Sequence, residues 1–191
     1  AKWRSIVIYV IGGPSLSGKT TTRKYITKYL GISGIDTDTL RTLTQSLRPD
    51  LSVGHDKNVM DNYKNMRPTI RAFLFARSFF SEDYILEGDC INLEDILEIK
   101  QDMELKALFL GYPNSSVEDL LLILQGVPRD HWSREIDKVK LYDKLKEFID
   151  YSKFLQAEAS KFNLPFIDIS SRENINFQNQ SIMQGLGLFR D

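Results

Sequence analysis

Eight consecutive residues, Gly13-Pro14-Ser15-Leu16-Ser17-Gly18-Lys19-Thr20, carry the plainest chemistry in the chain. They satisfy the pattern G-x-x-x-x-G-K-[ST] at every defined position. Glycines at both ends permit a tight bend whose backbone N–H groups can wrap phosphate oxygens. A helix opening there adds positive potential at its amino end. Lys19 then reaches the outer phosphates, and the Thr20 hydroxyl is placed to ligate Mg²⁺. Gly13, Ser15, Leu16, Ser17, Gly18, Lys19, Thr20 and the adjoining Thr21 are therefore the expected nucleotide-binding residues. The ligand implied is a nucleoside triphosphate. The plain alternative is a strand-to-helix turn with an incidental lysine.

Two acidic groups follow. Asp36-Thr37-Asp38 ends a short apolar segment, and Glu87-Gly88-Asp89 closes a longer one. A hydroxyl attacking a terminal phosphate needs a carboxylate to accept or orient its proton, and Asp38 is the candidate for that task. Either aspartate can instead cap a helix beginning at Thr39, as aspartates commonly do. Arg41 lies three positions after Asp38 and shares its helical face, where it is placed to anchor an anionic acceptor group.

The elements that must hold these groups can be read from periodicity. An apolar, β-branched run at Ser5–Ile11 predicts a first strand, and Gly18–Leu30 a helix. Six apolar residues from Ile6 to Ile11 are too few for a secretory core or a membrane span. Further strands are expected at Ser33–Asp36, Asp83–Leu86, Lys106–Leu110 and Pro165–Ile169. Helices are expected from Thr39, on both sides of Pro68, at Leu93–Lys100, after Ser115 or Ser116, at Arg134–Lys161, and from about Asn174. Strands alternating with helices argue for an α/β fold, a parallel sheet covered on both faces. Ligands of such sheets gather at the carboxyl ends of the strands.

Composition bounds the rest. The chain has 191 residues, 42% hydrophobic and 27% charged, about one ordinary folded domain. Its 25 basic and 26 acidic side chains are interspersed, giving a net charge of −1, which argues against nucleic acid or an anionic membrane as partner. One cysteine and two histidines cannot build a usual His/Cys zinc site, and a lone thiol suits a reducing cytoplasm. Cys90 reads as a packing residue, His55 as a loop residue and His131 as part of a loop between helices. The aromatic group Phe73, Phe75, Phe79 and Phe80 reads as core or as the wall of an acceptor pocket.

The phosphate loop, the D-x-D after the second strand and the order of elements resemble the small P-loop kinases of the adenylate kinase and shikimate kinase group. The resemblance spans most of the chain. It implies a single domain over 1–191, a three-layer α/β/α fold with strand order 2-3-1-4-5, a helical acceptor-binding insertion at about 40–80 and a lid at about 125–134. In the shikimate kinase branch the first aspartate of D-x-D lies near the metal and the second holds the acceptor hydroxyl, which carries over to Asp36 and Asp38. Glu-Gly at the end of strand three occurs in several kinases of small metabolites, making Glu87 the metal-side acid and Asp89 an acceptor contact. Arg67 and Arg71 fall in the acceptor region, Arg129 and Arg134 in the lid, where a closing arginine supplies charge and closure excludes water. Arg172 follows strand five, where the resemblance puts adenine.

The expected activity is thus an ATP- and Mg²⁺-dependent kinase acting on a small metabolite, with a hydroxyl as the favoured acceptor. A nucleoside monophosphate kinase, a polynucleotide or toxin-type kinase, and a nucleotide-binding regulatory module stand as alternatives. The acceptor and the oligomeric state are not legible.

Overall fold

The computed structural model describes residues 6–128, 131–171 and 175–188. Five strands form one parallel sheet: β1 (Ile8–Gly12), β2 (Ser33–Asp36), β3 (Tyr84–Gly88), β4 (Leu105–Gly111) and β5 (Phe166–Asp168), in the order β2-β3-β1-β4-β5. Fold class and strand order are those expected. The helices are α1 (Lys19–Leu30), α2 (Thr37–Leu47), α3 (Val59–Asn65), α4 (Arg67–Arg77), α5 (Leu93–Ile99), α6 (Val117–Gln125), α7 (Lys138–Lys161) and α8 (Ile175–Gly185).

β1 is buried on both faces, which is why it reads as a continuous apolar run. Ile8 and Val10 join Leu86 in a core closed by Leu40 of α2, Tyr63 of α3, Ile70 and Leu74 of α4, Ile96 of α5 and Leu155 of α7. Tyr9 and Ile11 face the other way, onto Ile26 of α1 and Ile182 and Met183 of α8. Each such buried aliphatic side chain contributes roughly 1.5–3 kcal/mol, so the sheet is clamped from both sides. A third cluster seats α6 on α7 beside Tyr112.

Register brings the chemistry to one edge. Gly12 lies opposite Gly88 and Asp36 opposite Glu87, so β1, β2 and β3 deliver their carboxyl ends side by side.

Several boundaries differ from the sequence reading, each for a local reason. α2 begins at Thr37, because Asp36 takes the cap position and accepts from the Thr39 N–H at 2.8 Å. β3 runs on to Gly88, since Glu87 and Gly88 still pair with Ile11 and Gly12. α7 begins at Lys138, capped by Asp137, and Trp132–Arg134 forms a separate 3-10 turn. Ser116 caps α6, and Asp119 returns the bond in a reciprocal capping box. Pro68 sits in the first turn of α4 as expected. The aromatic group is a correction: Phe73 packs against the core, but Phe75, Phe79 and Phe80 are exposed at the end of α4 and beyond it. Among the described residues no helix is long and apolar enough to cross a membrane.

Candidate functional site

The loop between β1 and α1 is built for an anion. Gly18 takes the left-handed conformation, φ 81°, which a side chain would strain, and it turns the chain directly into α1. No side chain caps this helix, so its first-turn N–H groups are left to a ligand. The Ser17 hydroxyl donates to the Pro14 carbonyl at 2.8 Å, and Lys19 Nζ donates to the same carbonyl at 2.6 Å and lies 3.2 Å from Ser17 Oγ. Burial lowers the Lys19 pKa, against the opposing pull of Glu87, Asp89 and Asp38. Distant elements brace the loop: Tyr112 Oη donates to the Ser15 carbonyl at 2.5 Å, and Gln178 Nε2 to the Ser17 carbonyl at 2.8 Å. Thr22 of α1 is tied to Asn179 of α8 at 2.8 Å.

On the β3 side, Thr20 Oγ1 donates to Glu87 Oε1 at 2.8 Å. Arg23 Nε lies 3.3 Å from the same oxygen, and Arg23 Nη2 lies 3.7 Å from Asp36. Asp36 also accepts from the Thr39 hydroxyl at 2.8 Å. Burial would raise its pKa, but the Thr39 bonds and Arg23 prevail and hold it below the ordinary carboxylate range. Asp36 is thus engaged as a helix cap, while Thr20 and Glu87 offer a hydroxyl and a carboxylate oxygen at one point. That donor set fits Mg²⁺, which prefers one or two protein oxygens together with substrate phosphates and water. No cluster of three or more His, Cys, Asp or Glu suited to a metal occurs among the described residues.

Asp38 falls in the first turn of α2, not at its cap. Its carboxylate is bonded by Arg41 Nη2, and Arg41 also reaches Asp89, with Nη1 3.4 Å from Oδ2 and Nη2 3.3 Å from Oδ1. Asp89 is buried. Burial would raise its pKa, yet Arg41, the Cys90 thiol and Lys19 hold it below the ordinary value. Gly88 makes this junction possible: a Cβ there would stand 1.8 Å from the Thr37 hydroxyl, which lies between α2 and Asp89. Cys90 is buried as expected, and burial with the adjacent Asp89 pushes its thiol well up, away from reactivity.

These groups share one open cleft of about 790 Å³. Of the residues expected from sequence, Ser15, Leu16, Gly18, Lys19, Thr20, Thr21, Asp36, Asp38, Arg41, Glu87 and Asp89 line it. Gly13 and Ser17 do not line it; the Gly13 N–H donates to the Gly88 carbonyl at 3.0 Å and the Ser17 hydroxyl to the Pro14 carbonyl. Arg67 and Arg71 are not at the cleft: both are bonded to the buried carboxylate of Asp95 on α5, at 2.8 and 2.7 Å, and Arg71 also to Glu98 at 2.6 Å. Arg134 is likewise drawn elsewhere, donating to the Leu124 carbonyl at 3.2 Å near the end of α6. Arg129 and Arg172 lie outside the described residues.

The structure adds residues that sequence reasoning missed. Arg23 and Lys24 stand one turn beyond Lys19 and Thr20 on α1, a spacing that was readable. His55, Lys57, Asn62, Trp132, Lys144 and Phe148 also line the cleft, brought there by the 48–58 loop, α3, the Trp132–Arg134 turn and α7. Lys144 Nζ donates to the Lys57 carbonyl at 3.2 Å and is paired with Glu147 at 3.1 Å, joining that loop to α7. No local pattern announces such a long-range contact. A second cleft of about 780 Å³ lies at the amino end of the sheet, beside Val7, Tyr9 and Lys106, and contains none of these acids and no phosphate loop.

No protein-family model matches the sequence, and no curated protein sequence matches it. Solved structures do. A gluconokinase from Sinorhizobium meliloti aligns over 98% of this chain and 94% of its own, with TM-score 0.59 and 14% identity. A sugar kinase from Janibacter aligns over 96% and 95%, with TM-score 0.58 and 14% identity. Shikimate kinase from Acinetobacter baumannii, in complex with shikimate, aligns over 95% and 93%, with TM-score 0.56 and 17% identity. At these identities the likeness establishes the fold alone, which this chain shares over nearly its whole length with these three kinases.

Proposed function

We propose that this protein is an ATP- and Mg²⁺-dependent phosphotransferase that moves the γ-phosphoryl group to a hydroxyl of a small metabolite. The observation that carries the reading is one cleft holding the phosphate loop around Lys19, the Thr20–Glu87 pair and the carboxylate of Asp38. The loop amides and Lys19 grip the phosphates and orient the outermost group toward the acceptor side. Thr20 and Glu87 would hold Mg²⁺, which would neutralise phosphate charge there. Asp38 orients the acceptor hydroxyl and takes its proton as the oxygen–phosphorus bond forms and the bond to the departing ADP oxygen breaks.

Charge favours a hydroxyl over a phosphate as the acceptor. Arg41 is already paired with both Asp38 and Asp89, so beside Asp38 it offers no uncommitted charge to the phosphate of a nucleoside monophosphate. A neutral hydroxyl needs no such counter-charge. Trp132 and Phe148 supply apolar wall to the cleft, suited to the carbon skeleton of a ring or polyol.

The test is ADP release from MgATP across a panel of alcohols: gluconate, shikimate, neutral sugars, nucleosides and nucleoside monophosphates. A Lys19→Met variant serves as the blank. Stimulation by a hydroxyl acceptor is expected. Turnover that no acceptor raises above the blank would overturn the reading, and preference for monophosphates would overturn its acceptor class.

A further inference from the structure

We propose that Arg41 is a positioning residue: anchored on the buried Asp89, it holds the carboxylate of Asp38 at the acceptor side of the cleft. The inference rests on the phosphotransferase reading and deepens it.

The asymmetry of the pair is its first support. The Asp38 side chain is 65% exposed, whereas that of Arg41 is 6% exposed. A solvated carboxylate on the first turn of a helix is free to change rotamer, and a proton acceptor needs to be held within hydrogen-bond reach of its proton. Arg41 supplies that restraint from a buried base.

The base itself is fixed from behind. Asp89 meets both terminal nitrogens of Arg41 at 3.3 and 3.4 Å and accepts from the Cys90 thiol at 2.8 Å. Its backbone N–H donates to the Thr37 hydroxyl at 3.2 Å, and its carbonyl accepts from Tyr151. Asp89 is therefore a post set just past the end of β3, and Arg41 ties α2 to that post.

The arrangement is poorly suited to a purely structural role. Arg41 Nε is buried with no partner, and an unsatisfied buried donor costs about 1–3 kcal/mol. Apolar side chains of similar size would fill the site at no loss of stability. What they could not do is bring two carboxylates together over one guanidinium. Both ends of Arg41 are engaged by these acids, so its role is to hold Asp38, in place of the anionic-acceptor anchor read from spacing alone.

The experiment uses Arg41→Met with Asp89→Asn, which removes the cation without stranding a buried charge, and Arg41→Lys, which keeps charge but loses the fork. Crystal structures with ADP and Mg²⁺ are compared with wild type, and kcat and KM for MgATP are measured with the panel acceptor giving the largest wild-type kcat. Expected are a displaced Asp38 carboxylate, a fall in kcat of about 10²-fold, and an unchanged KM for MgATP. Arg41→Lys falls between. In an Asp38→Asn background the same pair of substitutions should lower kcat no further, because its effect travels through Asp38. An Asp38 that stays in place, or a full additional loss in the Asp38→Asn background, overturns the inference even where wild type is an active kinase. Wild-type inactivity with every acceptor overturns the kinase reading instead.

Discussion

The Thr20 hydroxyl donates to Oε1 of Glu87 at 2.8 Å, across 67 positions of sequence. The contact joins the first turn of α1 to the end of β3, and it sets two hard oxygen donors side by side before any ligand arrives. Replacing Glu87 by Gln keeps the shape and removes the charge. The Mg²⁺ concentration for half-maximal turnover at fixed ATP should rise at least about tenfold. ADP binding without metal, read by calorimetry, should change little.

Asp36 and Asp38 should separate by stability. Asp36 caps α2, so Asp36→Ala should cost about 1 kcal/mol, or roughly 2–4 °C in a thermal melt. Asp38→Asn alters an exposed first-turn side chain, and its melt should lie within about 2 °C of wild type. Its kcat should fall about 10²- to 10⁴-fold with the ATP dissociation constant intact.

Lys19 should trade stability for binding. Burial holds its native pKa below the ordinary 10.5, so the unfolded chain binds the proton more tightly than the folded one. Its charge therefore opposes folding fully below the native value, and the penalty disappears as pH rises to 10.5 and beyond. Lys19→Met should keep or raise the ligand-free melting temperature at pH 7. The same variant should lose the rise that MgATP gives the wild-type protein, as differential scanning fluorimetry can record.

Acid should loosen the acceptor end. Burial would raise the Asp89 pKa, but Arg41, the Cys90 thiol and Lys19 together outweigh it and the native value lies below the ordinary 3.8. Asp89 thus contributes stability that is present above the unfolded value and is lost as pH falls through 3.8 toward the native one. Urea midpoints measured from pH 6 to pH 3 should fall, and Asp89→Asn should flatten that slope.

Arg67 and Arg71 should matter to folding and not to substrate. Removing both leaves Asp95, 1% exposed, without its two partners. Because the arginines are themselves partly solvated, the loss should be about 1–3 kcal/mol, below that of a fully buried pair. KM for the acceptor should stay within about twofold, as initial-rate kinetics would show.

The phosphate loop was legible because its chemistry is local: eight contiguous residues shape a backbone whose N–H groups do the work. The parallel sheet was legible because β1 and β3 bury both faces and so read as unbroken apolar runs. Charged side chains were less so. Arg67 and Arg71 looked from sequence like acceptor contacts and Arg134 like a lid arginine, yet a buried carboxylate and a helix-end carbonyl from other elements claim them. Arg23 escaped notice although it contacts both Glu87 and Asp36.

From the chain's order alone came the bend around Lys19, the strands that flank it and the candidacy of Asp36, Asp38, Glu87 and Asp89, since local hydrogen bonding and burial leave a periodic mark. The tertiary structure decided which aspartate caps α2, which joins Arg41, and which loops face the phosphate side. The cap and the Asp38–Arg41 pair are bonds between residues three apart. The second grip of Arg41 on Asp89, 48 positions on, and that of Lys144 on the Lys57 carbonyl, 87 positions back, exist because long side chains bind whatever partner packing brings within reach.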